Sequence, residues 1–427
     1  MAMHKDSGSP AAGRPLTICV IGQAGSVHVA IRAKCFADLG HKVLLITPER
    51  SRAGISGVTE HGPGLERTAA GDAARRFVAP GLRALGLLPP RLFQLLSLIR
   101  FLRKNRPDIV HVHYANGYYG WFAGLIGCRP LVVTVMGGDI LFDEQGSPTP
   151  LTRWLTLELL RQADYITSKS HYLTSVLDQL GGFGRKTERI VWGISLGRFR
   201  RTDASALRAR LGIGPERRVI LSPRILQPFY RVHLLVEALP RIVQEFPEAL
   251  LLVTEHLPDS RYRAEIGARI AELGLGGHVL FCGEADHETM PLLYSAAEMS
   301  IGMPSSDGLP QTLLEAMACE TPNILSRLPR YEEIVRHGES AWLVDATPEA
   351  IAAGVTALLR DAELRARISR NALAIVSAEA NLDEQARRVE RRYRELAATV
   401  PPRALNLSRM WSAWRAFRRF RKSAAAG

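Results

Sequence analysis

Two successive series of short apolar runs, each run followed by a stretch at helical spacing, constrain this chain more than any other feature. The first series opens with "PLTICVIGQAGSVHVAIRAKCFADLGHKVLLIT". Ile18–Ile21 is short and continuous, the pattern of a parallel strand covered on both faces. Val29, Ala33, Phe36 and Ala37 follow at helical spacing, Gly40 ends the helix, and Val43–Ile46 supplies the next strand. The alternation returns at "DIVHVHY", "PLVVTVM" and "ADYITSKS". A second series runs through "RVILSPR", "ALLLVTE", "HVLFCGE", "EMSIGMP", "TPNILS" and "AWLV". Such a chain builds doubly wound parallel sheets, and 427 residues exceed one ordinary core. The expected fold class is α/β, with two Rossmann-like domains facing across a cleft and a basic amphipathic helix at the C-terminus. The expected divisions are a polar tail (1–14), a first domain (15–199), a second domain with its closing helix (200–398) and a basic tail (399–427). Ligands of open α/β sheets bind beyond the carboxyl ends of the strands, so the loops there are the candidate sites.

The stretch "SSDGLPQTLLEAMACETP", Ser305 to Pro322, leaves such a strand and enters a helix. Pro310 suits a first helical position, where its missing N–H costs nothing. The free amides of that helix end favour an anion such as a diphosphate. Asp307 and Glu315 flank the turn, where carboxylates accept paired hydrogen bonds from sugar or ribose hydroxyls. Spacing alone equally allows Asp307 as a helix cap and Glu315 as a solvated charge. In "SPRILQPFYRVHLLVEAL", Arg224 ends a strand and is either a surface arginine or a fixed guanidinium for a diphosphate leaving group.

"GQAGSVH", Gly22 to His28, is a glycine turn after the first strand, where backbone approaches a ligand closely. It is not Gly-x-Gly-x-x-Gly and no acid follows for a dinucleotide ribose, which weakens an oxidoreductase reading. His111 and His113 alternate on one strand and share a face, but two histidines without a third ligand make a poor metal site. Asp139, in "VVTVMGGDI", stands at another strand's carboxyl end as a candidate to orient or deprotonate an acceptor hydroxyl.

The signature Asp307–Glu315 with the following Ala-Met-Ala resembles that of glycosyltransferase family 4, the retaining B-type enzymes of group 1, of the bacterial surface-polysaccharide type. The resemblance runs over residues 15–398 and includes "HVLFCGEADHETMPLLYSAAEMSIGMPSSDG" and "YEEIVRHGESAWLV". It implies Asp307 at the donor sugar, Gly308 and Leu309 as donor-binding neighbours, Glu315 at the nucleotide ribose, and Arg224 at the diphosphate. Arg231 is a stand-in for the family's lysine, Gly25 the match to its glycine loop, and His113 a cleft residue. Four departures stand out: aspartate where most members have glutamate at 307, Met136 where a histidine is common, and Glu320 and Ala341 where glycines are usual.

The implied reaction is transfer of a sugar, with retention, from a UDP- or GDP-linked donor to a lipid-linked glycan acceptor in cell-surface polysaccharide or lipopolysaccharide assembly. No further cofactor is expected. Metal independence is expected because the chain has no Asp-x-Asp. Two other readings remain: a non-catalytic glycan- or membrane-binding subunit, and a nucleotide-sugar epimerase or sugar phosphorylase on the same fold.

Charge adds a partner. Of the net +13, eight Lys/Arg fall between Asp72 and Asp108 and seven beyond Pro401, both stretches without acids. Leu407, Met410, Trp411, Trp414 and Phe417 fall on one side of a helix whose cations lie largely elsewhere. That pattern fits an anionic membrane surface better than nucleic acid. "GLRALGLLPPRLFQLLSLIRFLRK" has similar chemistry, or is an ordinary core helix with basic flanks. Scattered cysteines, no apolar signal segment and no run long enough to span a bilayer lead to the expectation of a cytoplasmic protein, peripheral on the inner face of the plasma membrane.

Overall fold

The computed structural model describes residues 13–48, 54–62, 90–142, 148–256, 258–307 and 309–402. They form two compact units, one of residues up to Ile190 together with Ala386 onward, the other Val191–Gln385.

Unit 1 runs β1 (Thr17–Ile21), α1 (Val27–Asp38), β2 (Lys42–Ile46), β3 (Val58–His61), α2 (Pro90–Asn105), β4 (Ile109–His113), α3 (Tyr118–Leu125), β5 (Leu131–Thr134), α4 (Pro150–Gln162), β6 (Tyr165–Ser168), α5 (His171–Gly181) and β7 (Thr187–Arg189). The strands lie parallel in the order β3-β2-β1-β4-β5-β6-β7. Ile18, Val20, Val112 and Val133 are sealed from solvent, as continuous apolar strands between two helical layers require. Thr149 caps α4 by accepting from the Thr152 N–H, with Pro150 in the first turn, and Ser170 caps α5. In α2, Leu95, Leu98, Ile99, Phe101 and Leu102 are buried and Arg100, Arg103 and Lys104 exposed, so over its described length this basic segment is a core helix.

Unit 2 runs α6 (Ser205–Arg210), β8 (Arg218–Ser222), α7 (Val232–Glu245), β9 (Ala249–Val253), α8 (Ser260–Glu272), β10 (Val279–Phe281), α9 (Met290–Ala296), β11 (Met299–Gly302), α10 (Gln311–Ala318), β12 (Asn323–Ser326), β13 (Trp342–Val344), α11 (Pro348–Arg360) and α12 (Ala362–Glu379). Its parallel sheet has the order β10-β9-β8-β11-β12-β13. Every strand expected from the apolar runs is present.

The division of the chain differs from the expected one at both ends. Val191, Ile194 and Phe199 pack in the core of unit 2. Ile194 exchanges backbone hydrogen bonds with Ala380 and Leu382. Gly193 is needed there, since a Cβ would lie 1.5 Å from the Ala380 carbonyl oxygen. The last described helix, α13 (Leu382–Thr399), leaves unit 2 at Gln385 and belongs to unit 1 from Ala386. Tyr393 is fully buried against Phe36, with ring centroids 4.9 Å apart, and hydrogen-bonds the His111 ring. The expected tail helix beyond Arg403 lies outside the described residues. Among the described residues no helix is long and apolar enough to cross a membrane.

Candidate functional site

In each sheet the strand order reverses once, between β1 and β4 in unit 1 and between β8 and β11 in unit 2. Beyond the carboxyl ends at such a switch point, neighbouring loops part and leave a crevice. The residues picked out in the sequence gather at these two places.

In unit 2, Arg224 follows β8 and Asp307 follows β11. The Arg224 guanidinium donates to Asp307 Oδ2 at 2.7 Å and to Thr312 Oγ1 at 2.8 Å, and lies over the Tyr230 ring at 4.6 Å. Tyr331 donates to the same Asp307 oxygen at 3.1 Å. The pair is half-sheltered, with side chains 12% and 16% exposed, so it is neither a solvated surface pair nor a fully desolvated one. Glu315, in α10, is 5% exposed and accepts from the buried Tyr294 hydroxyl at 3.0 Å. Burial drives its pKa up to about 7; the Tyr294 bond and Arg224 oppose that rise without cancelling it. Glu315 is therefore not a solvated helix charge, and Asp307 does not cap α10. Pro310 occupies the cap position itself, in extended backbone, one place earlier than expected.

Arg231 has a structural part as well. It sits at φ +51 where α7 begins, and its guanidinium donates to the carbonyls of Met303 at 2.7 Å and Pro304 at 2.6 Å. Those bonds tie the loop after β11, which carries Asp307, to α7, so Arg231 positions the loop. Leu309 packs against the unit 2 core, and Gly308 lies outside the described residues. Glu320, at the departure from the family's glycine, adopts φ +55, the left-handed position past a helix end that glycine fills without strain.

In unit 1, a cavity of about 820 Å³ opens at the switch point, with Gly22, His28, Arg32, His113, Tyr118 and Met136 in its lining. His113 is buried, stacked on His111 with ring centroids 4.0 Å apart, and its Nδ1 is 3.3 Å from Arg32 Nη1. Burial, then His111, Arg32 and His28, hold its pKa well below the usual histidine range, so the ring is neutral. An Nδ1 that accepts from arginine leaves the ring proton on Nε2. Gly25 is exposed with open space where a Cβ would stand, so its surroundings place no demand for glycine. Gly22 does meet such a demand: its Cβ would lie 3.0 Å from Val29 and 3.4 Å from His113.

Asp139 has a structural part that its place after a strand did not show. Its carboxylate is 1% exposed and accepts backbone N–H bonds from Ala115 at 2.7 Å, Gly137 at 2.9 Å and Met136 at 3.0 Å. Burial raises its pKa although these amides pull it down. Asp139 clamps two loops together, and backbone amides occupy both of its carboxylate oxygens. Asp139→Asn is expected to cost roughly 3 kcal/mol in denaturant unfolding, because an amide nitrogen would face buried donors. The pH profile of turnover should not move; a displaced profile would return Asp139 to the chemistry.

Four contributors were not singled out from the sequence: Tyr294, Tyr331, Thr312 and Arg32. The first three lie in or beside the stretches that carry the family resemblance, so a signal was present.

Comparison with known proteins agrees with this geometry. Residues 25–198 match the family "Glycosyltransferase Family 4", and residues 203–374 match "Glycosyl transferases group 1". The D-inositol 3-phosphate glycosyltransferase of Thermobispora bispora is 27% identical over 376 residues, covering 82% of this chain and 86% of that protein. The N-acetyl-alpha-D-glucosaminyl L-malate synthase of Bacillus anthracis is 27% identical over 289 residues, covering 66% and 74%. Among solved structures, HepE of Anabaena in complex with UDP and glucose superposes with a TM-score of 0.70 at 20% identity, covering 89% of this chain and all of that one. The two sheets thus carry the B-type glycosyltransferase fold, and the chain belongs to the group 1 glycosyltransferases of family 4.

Proposed function

We propose that the protein transfers a sugar, with retention at the anomeric carbon, from a UDP- or GDP-linked donor to a lipid-linked glycan acceptor. The setting would be cell-surface polysaccharide or lipopolysaccharide assembly at the cytoplasmic face of the membrane. The observation that carries the donor half is Glu315, a buried carboxylate held by Tyr294 within the field of Arg224. Such a group is expensive to bury without a ligand to bind, and paired ribose hydroxyls suit it. The likeness to HepE, a structure that contains UDP and glucose, supports a nucleotide-sugar donor.

Arg224 and the N-terminus of α10 meet the diphosphate charge and stabilise it as it leaves, so the reaction as proposed needs neither metal nor cofactor. Asp307, oriented by Arg224 and Tyr331, takes the sugar hydroxyls. The departing phosphate oxygen accepts the acceptor hydroxyl's proton on the face it leaves, which is why a separate general base is not required. His113, neutral and at the unit 1 cavity, offers its Nε2–H as a donor to the acceptor or the sugar.

The lipid-linked acceptor is supported by exposed apolar side chains about the unit 1 cavity. Tyr114 and Tyr118 line it, and Val27, Leu96 and Leu151 each lie within two residues of a lining position. A second reading, a small polar acceptor, is favoured by the names of the relatives, which act on an inositol phosphate and make a malate glycoside.

A thermal-shift screen over UDP- and GDP-sugars, followed by product analysis with and without acceptor, tests the reading. One donor class should raise the melting temperature by several degrees at saturation. A donor that binds without turnover would favour the non-catalytic subunit, and turnover without acceptor would favour an epimerase.

A further inference from the structure

A row of buried polar groups runs beneath the unit 1 cavity, and the proposed donor chemistry makes no use of it. β4 places His111 and His113 on one face, with ring centroids 4.0 Å apart and planes tilted by 35°. His111 is sealed from solvent. Its Nε2 lies 2.7 Å from Thr134 Oγ1 on β5, and that oxygen lies 2.6 Å from Thr167 Oγ1 on β6. Its Nδ1 pairs with the Tyr393 hydroxyl, which comes from α13. The Tyr393 ring, also sealed, meets the His111 ring edge-on at 81° and packs on Phe36 at 4.9 Å. Four elements thus contribute to one hydrogen-bonded row.

The row has a direction. Burial pushes the Tyr393 phenol well above its ordinary range, so the hydroxyl keeps its proton. Burial, then Arg32, lowers the His111 pKa to about 3, so the imidazole is neutral and one nitrogen donates while the other accepts. Among the described residues the Tyr393 hydroxyl bonds nothing else, and a buried phenol proton without an acceptor is costly. The phenol is also the most acidic hydroxyl of the row, and the imidazole its most basic acceptor. Tyr393 therefore donates to His111 Nδ1, and the His111 proton sits on Nε2. Nε2 donates to Thr134, which donates in turn to Thr167. A ring bonded at both nitrogens cannot flip, and in a close-packed interior it fixes the ring stacked on it.

We propose that Tyr393 is a positioning residue for the unit 1 cavity: it locks His111 as the Nε2–H tautomer, and the locked ring sets the angle at which His113 faces the cavity. The part of His113 in sugar transfer rests on the glycosyltransferase reading above; the locking of His111 does not. Every residue lining the cavity lies between Ile21 and Thr152, yet its histidine is aimed from position 393.

The test uses the full chain with its histidine rings labelled with nitrogen-15. Wild-type His111 should show an accepting Nδ1 and a protonated Nε2. Tyr393→Phe keeps the ring that packs on Phe36 and removes only the hydroxyl. It should shift the ring signals of both His111 and His113 and leave those of His337, in unit 2, in place. Turnover of UDP-glucose or GDP-mannose, whichever the chain accepts, should fall about tenfold in kcat with the donor's KM unchanged. A proton on His111 Nδ1 in the wild type would overturn the proposal without any variant, even if Tyr393→Phe does not fold. A shift of His111 alone, or an unchanged kcat, would make Tyr393 a core contact and overturn its link to the cavity. If neither donor is turned over, the glycosyltransferase reading fails, and the histidine signals still decide the locking and the coupling.

Discussion

Glu315→Gln is expected to reduce donor affinity about a hundredfold while leaving the protein at least as stable as wild type at pH 8. The two halves have one cause. The carboxylate is buried with one hydroxyl donor, Tyr294, and its pKa stands at about 7 against 4.5 in an exposed glutamate. The folded form thus keeps a proton between these values that the unfolded chain releases. Its contribution to stability is full below about pH 4.5 and is lost as pH rises through 7, a loss on the order of 3 kcal/mol. Glutamine keeps an oxygen for Tyr294 but carries no charge to desolvate, so it escapes that loss. It also lacks the second acceptor oxygen needed by a ribose diol. Wild-type affinity for a UDP- or GDP-sugar should therefore climb from pH 6 to pH 8, and the variant's should stay flat and weak. Calorimetric titration at both pH values checks this, and unchanged donor affinity in Glu315→Gln would sink the assignment.

The second large effect falls on Arg224. Arg224→Ala should lower kcat/KM by roughly a hundredfold or more, through lost charge at the diphosphate. It should also cost about 2 kcal/mol of stability, because Asp307 keeps the Tyr331 bond but loses the Arg224 guanidinium in a half-sheltered setting. Lysine would rescue little: an ammonium does not reach Thr312 and Asp307 together with the geometry of a planar fork. The discriminating measurement is affinity for a nucleoside diphosphate against its nucleoside. The variant should lose the preference for the diphosphate and keep the weak affinity for the nucleoside. If both fall in parallel, Arg224 supports the fold of the site and not the phosphates.

Much of this was legible because the information was local. A strand buried on both faces must be apolar throughout, so runs such as "ICVI" and "ALLLV" announce themselves. The short edge strands β3, "VTEH", and β7, "TER", carry no such pattern and were not expected. Arg224, Asp307 and Glu315 were legible through their place beside a strand end and the signature around them. The hydroxyls that orient them were not, because Tyr294 and Tyr331 reach in from other segments and their direction is a product of packing. Asp139 illustrates the limit best. An aspartate after a strand suits a base and a loop clamp equally, and the clamp is visible only in the convergence of three amides from two loops. Gly22 and Gly25 pose the same problem in miniature: both sit in the turn, and the closeness of Val29 and His113 picks out the first.

Because Tyr393 fills the space between Phe36 and His111, unit 1 is assembled from two stretches of chain separated by the whole of unit 2. Unit 2, by contrast, is one uninterrupted segment. During synthesis from the N-terminus, Val191–Gln385 can complete its core as soon as it emerges, whereas the first and larger stretch of unit 1 must wait with the Tyr393 slot vacant. The order of maturation is therefore expected to run against the order of translation: unit 2 is finished first, and the unit begun first is sealed last.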